Sequence, residues 1–100
     1  MNSLVVFFEI PANDFDRAVA FHGTVLGVKL SVSLAKDFRP SKDGVLISLH
    51  VDDMEKALSA VKANGGKIIR PKTGIEAEEH GYFALFTDSE GNRLELCSGK

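Results

Sequence analysis

Gly81-Tyr82-Phe83-Ala84-Leu85-Phe86-Thr87-Asp88-Ser89-Glu90-Gly91-Asn92-Arg93-Leu94-Glu95-Leu96-Cys97 reads as two β-strands around a tight turn. The first run is aromatic and aliphatic. The Asp-Ser-Glu-Gly-Asn cluster that follows supplies turn chemistry, with Gly91 or Asn92 suited to positive φ. Period-two alternation then sets Leu94 and Leu96 on one face and Arg93, Glu95 and Cys97 on the other. A carboxylate on the open face of an apolar hairpin is a place where site chemistry can sit, so the remaining chain is read for partners to Glu95.

Upstream, Leu4 to Ile10 is an apolar, β-branched and aromatic run ended by Pro11, and reads as a strand with Val5, Phe7 and Glu9 on one face. Asn13 or Asp14 is the expected cap of a helix to about Val25, with Asp16 in its first turn. Phe15, Ala18, Phe21, His22 and Val25 form its inward stripe. Gly27 ends it, and Val28 to Leu34 alternates as a second strand. Residues 35–44 carry Pro40 and no periodicity, and read as a linker. Val45 to Val51 is a strand with Leu46, Ser48 and His50 on the polar side. Asp52 is the expected cap of a helix carrying Met54, Ala57, Leu58 and Val61, stopped by Gly65-Gly66. Lys67 to Arg70 is a short strand closed by Pro71, and Lys72 to His80 reads as a charged loop.

Two of these segments match in residue type. Ala12-Asn13-Asp14-Phe15-Asp16-Arg17-Ala18 parallels Val51-Asp52-Asp53-Met54-Glu55-Lys56-Ala57 at an offset of 39, from position 12 to position 51. Each repeat begins strand, capped helix, glycine, strand, but only the second continues into the hairpin. The expectation is an α+β fold of paired modules: residues 1–34 form a first module lacking about two strands, 35–44 the linker, and 45–100 the second module. A sheet with missing strands leaves open edges that another chain can cover, so a homodimer is expected.

Composition narrows the functions. One hundred residues at 44% hydrophobic and 26% charged describe one globular domain. A net charge of −2 gives no basic face for nucleic acid. No apolar run reaches the roughly 18 residues of a membrane span. One cysteine excludes an internal disulfide and a thiolate metal cluster, and a cytoplasmic location is the default.

The chain resembles the vicinal oxygen chelate superfamily of glyoxalases, bleomycin-resistance proteins and extradiol dioxygenases. The resemblance rests on Phe8-Glu9-Ile10-Pro11, Asn13-Asp14, Arg17-Ala18, Phe21-His22, Leu26-Gly27, Val51-Asp52-Asp53, Gly65-Gly66-Lys67, Pro71-Lys72-Thr73 and Asp88 to Leu96, in the family's order. It implies paired βαβββ modules around a cleft. In metal-dependent relatives, the acidic ligand four residues after the turn glycine corresponds to Glu95. The first-strand ligand positions fall on Phe7 and Leu46, which carry no donor atom. A catalytic metal needs three or more N or O donors, so no cofactor is expected.

The reading is therefore a glyoxalase- or bleomycin-resistance-like protein that binds a small organic molecule between sheets, without the usual metal. Phe7 and Leu46 supply apolar wall, and Glu9, Ser48, His50 and Glu95 supply polar contacts. No catalytic residue is assigned. One alternative is a metal-dependent lyase or dioxygenase rebuilt around Glu95, His50 and Glu9, with a divalent ion as Lewis acid. Another is a non-catalytic paralogue kept for assembly. Plainer roles compete at each position. Glu95 can pair with Arg93 or a cross-strand cation, and His50 can hydrogen-bond at the helix cap that follows it. His22 reads as a packed histidine with a backbone partner, His80 as a surface histidine, and Cys97 as a small filler.

Overall fold

A computed structural model describes residues 9–27, 39–75 and 81–99. Phe7, His80 and the expected strand at 28–34 lie outside these residues. Among the described residues, two helices, α1 (Phe15–Leu26) and α2 (Met54–Ala63), pack on one face of a four-stranded sheet. Its strands are β1 (Ser48–His50), β2 (Lys67–Gly74), β3 (Tyr82–Thr87) and β4 (Arg93–Ser98), in the order β1-β4-β3-β2. β1 runs parallel to β4, and the other pairs are antiparallel. β1 to β4 with α2 make one βαβββ unit, so the α+β expectation holds.

The repeat is visible in matching caps. Asp14 and Asp53 both have extended backbone, and each accepts the N–H of the residue three positions on, Arg17 and Lys56, at 3.0 Å. The second cap is thus Asp53 and not Asp52, because Asp53 has the spacing to reach Lys56 N–H. The helices end differently. α1 closes on Gly27 at φ 70°, whereas Gly66 after α2 is fixed by crowding: a Cβ there would meet the Thr87 carbonyl oxygen at 2.5 Å and Phe21 at 2.8 Å.

Burial follows the predicted stripes in α2, where Met54, Ala57, Leu58 and Val61 are buried. In α1, Ala18, Phe21, His22 and Val25 are buried, but Phe15, the first helical residue, remains 40% exposed. The main core joins Phe21, Val25 and the α2 stripe to Ile10, Ala84, Phe86, Leu94 and Leu96. Alternation along β4 is as read, with Leu94 and Leu96 inward and Glu95 and Cys97 half-buried on the open face.

Two strand expectations change. β2 does not stop at Arg70; it runs through Pro71 to Gly74 with register shifts between Ile68 and Thr73. An edge strand can hold a proline with no ladder donor to lose, and the bulges absorb its fixed φ. The strand predicted from Val45 to Val51 is only Ser48–His50. Its early part is displaced because Arg93 N–H, the donor that would extend the ladder, goes to Ser41 O at 3.3 Å. Val45 is left 90% exposed.

Candidate functional site

The β1–β4 register brings Ser48 opposite Glu95 and His50 opposite Cys97 on the open face. On β3, Leu85 lies opposite Glu95 and Phe83 opposite Cys97, both half-buried. The face therefore carries a polar pair, Ser48 and Glu95, beside an apolar floor of Leu85 and Phe83. Arg70 from β2 leans over Phe83, its guanidinium carbon 5.5 Å from the ring centroid.

Glu95 accepts two side-chain hydrogen bonds, both from neutral groups: one from Ser48 Oγ, and one from the Cys97 thiol at 3.6 Å. Burial pushes the Cys97 thiol up from its usual range, and the Glu95 charge adds to the effect. The thiol is thereby kept protonated and a poor nucleophile. Among the described residues no cation pairs with Glu95. Arg93, two residues away on the same strand, does not take that role.

The other expected site residues separate. His50 Nε2 bonds Asp52 Oδ1 at 3.0 Å beside the α2 cap, its plainer reading. Leu46 precedes β1 and is 38% exposed. Glu9 lines a different cavity with Arg39 and Arg93. Among the described residues, no three His, Cys, Asp or Glu side chains gather to hold a metal ion. A carboxylate with a hydroxyl and a protonated thiol is a poor donor set for a divalent ion.

A polar cluster that the sequence reading did not assemble lies behind the turn, where the α1 start meets β3 and β4. Glu90 Oε1 accepts the N–H groups of Asn13 and Asp14, both at 2.8 Å, and Arg17 Nη2 at 3.1 Å. Glu90 Oε2 accepts Arg17 Nε at 2.6 Å and Ser89 Oγ at 3.0 Å. This bidentate guanidinium, with the helix-start donors, lowers the Glu90 carboxyl to about 2. Next to it, His22 Nε2 donates to Asp88 Oδ2 at 2.9 Å, and both side chains are fully buried. The partner of His22 is a carboxylate, not the expected backbone group. Burial works to raise the Asp88 carboxyl, but bonds from His22, Asn92 and the Glu90 N–H outweigh it and hold it below its usual value. Arg17 and His22 lie five residues apart on α1, a spacing that reaches both acids of one turn; that coincidence was the available signal.

The superfamily described as Glyoxalase/Bleomycin resistance protein/Dioxygenase matches this sequence over residues 35–96. A glyoxylase-like domain-containing protein of Didymella fabae is 28% identical over 90% of this chain and 89% of its own length. Among solved structures, a glyoxalase/bleomycin resistance protein from Albidiferax ferrireducens T118 has a TM-score of 0.73 at 19% identity, covering 96% of this chain and 99% of its own. The fosfomycin resistance protein FosX of Listeria monocytogenes superposes with a TM-score of 0.69 at 13% identity, covering 100% and 96%. The chain belongs to the glyoxalase/bleomycin resistance protein/dioxygenase superfamily.

Proposed function

We propose that the protein binds a small organic molecule on the open sheet face, at the β1–β4 seam, without a metal. The observation that carries this reading is Glu95, a half-buried carboxylate held by neutral donors and met by no cation among the described residues. A buried or half-buried charge normally has a charged partner, so Glu95 is suited to accept a hydrogen bond from a ligand N–H or O–H. Ser48 orients it, and Phe83, Leu85 and Leu46 supply apolar surface for the ligand body.

A homodimer accompanies this reading. Among the described residues β1 is a sheet edge, and Val45 and Leu46 leading into it are exposed. Light scattering should give twice the chain mass of 10.8 kDa at micromolar concentration; a mass of one chain overturns the dimer.

Thermal-shift screening against aromatic, thiol-conjugate and antibiotic compounds tests binding. A compound at 100 times its Kd adds about 2.7 kcal/mol to stability, and the shift should vanish in Glu95→Gln. No shift from any class would overturn the reading. Metal analysis of protein purified without a chelator or affinity tag tests the metal-dependent alternative: about one bound divalent ion per chain would favour it.

A further inference from the structure

A second cavity lies beside the turn, at the start of β4. A cavity of about 220 Å³ lies between the segment around Ile10, the segment leading to β1, and the start of β4. Its walls include Glu9, Arg39 and Arg93 and the apolar Ile10, Ile47 and Leu94. Asn92 fixes the three walls to one another. Its Nδ2 donates to Pro11 O at 2.7 Å, and its Oδ1 accepts Ser41 N–H at 3.1 Å. The cavity is thus a constructed hollow at the meeting of three chain segments.

Arg93 supplies the chemistry. Its side chain is half-buried, its Nε is shielded from solvent, and the guanidinium has no hydrogen-bond or ion-pair partner among the described residues. A partly desolvated guanidinium costs free energy until an anion meets it. Glu9 borders the same cavity without pairing to it, and Arg39 brings a second positive charge. The two arginines against one carboxylate leave a net positive charge that matches a monoanion. The volume falls below the roughly 300–1,000 Å³ of pockets for drug-sized ligands, and the apolar wall favours a hydrocarbon body over a bare inorganic ion.

We propose that this cavity binds a small monocarboxylate, its carboxylate on Arg93 and Arg39 and its apolar body against Ile10, Ile47 and Leu94. Glu95 and Ser48 are not among the residues that line this cavity. Two-dimensional amide NMR of the full chain, titrated with benzoate and isobutyrate, tests it. Saturable shifts should centre on Ser41, Ile47, Asn92 and Arg93. Arg93→Gln should weaken benzoate by roughly tenfold or more, as expected for losing a charge-assisted pair. Arg39→Gln, an exposed and structurally mild change, should weaken it less. Glu9→Gln should tighten it by removing repulsion, and Glu95→Gln should leave it unchanged. Non-saturating shifts, equal affinity in Arg93→Gln and Arg39→Gln as in the parent chain, or loss in Glu95→Gln would overturn the site. Inorganic phosphate binding as tightly as benzoate would overturn the carboxylate assignment.

Discussion

Glu90 and Glu95 lie five positions apart on one hairpin and do different work. Glu90 is withdrawn behind the turn, where a guanidinium, two backbone donors and a hydroxyl saturate both oxygens. Glu95 stands half-buried on the open face with a hydroxyl and a thiol. A saturated carboxylate joins α1 to the sheet and has no capacity left for a ligand. An unsaturated one adds little to the fold and retains acceptor capacity. The chemical difference lies in what the other segments bring to each acid.

The contrast can be broken most sharply next to Glu90, at Asp88. Asp88→Ala removes the partner of buried His22 and the acceptor for two turn N–H groups. Removing one member of a buried pair costs roughly 3–5 kcal/mol, which urea unfolding would read. Glu90→Gln should cost less, on the order of 2 kcal/mol, since Arg17 is half-exposed and its attraction is screened.

Acid sharpens the same comparison. The Glu90 carboxyl is lower in the folded state, at about 2, than its ordinary 4.5. Its contribution is therefore complete above that ordinary value and is lost as pH falls through about 2. Asp88 is shifted in the same direction and adds to the loss. Stability measured by urea titration should fall between about pH 5 and 2, and Glu90→Gln should flatten that limb. Glu95→Gln should change stability at neutral pH by less than about 0.5 kcal/mol.

Much of this was legible in the sequence. The helix stripes, the hairpin and the 39-residue repeat all express local periodicity, and residues 54 to 61 read correctly position by position. Alternation placed Glu95 on the open face and Ser48 on the polar side of its strand, and the resemblance singled out Glu95. What escaped were long-range polar pairings. Arg17 and His22 read as helix residues and Asp88 to Asn92 as a turn, because nothing local to either segment shows that they meet across more than 60 positions. The short β1 escaped for the same reason: Ser41, from a segment read as linker, takes the Arg93 donor. Glu9 shares a strand face with Phe7 by alternation, yet it lines a cavity with Arg93 and not with Glu95.

The division of labour between the two acids is tested most directly by ligand-induced thermal shift in Glu90→Gln and Glu95→Gln, measured side by side with the parent chain. The account predicts that Glu90→Gln starts from a lower Tm and keeps the ligand shift. Glu95→Gln should start from the parent Tm and lose the shift. A Glu95→Gln protein that melts as early as Glu90→Gln, or that keeps the full ligand shift, would contradict it.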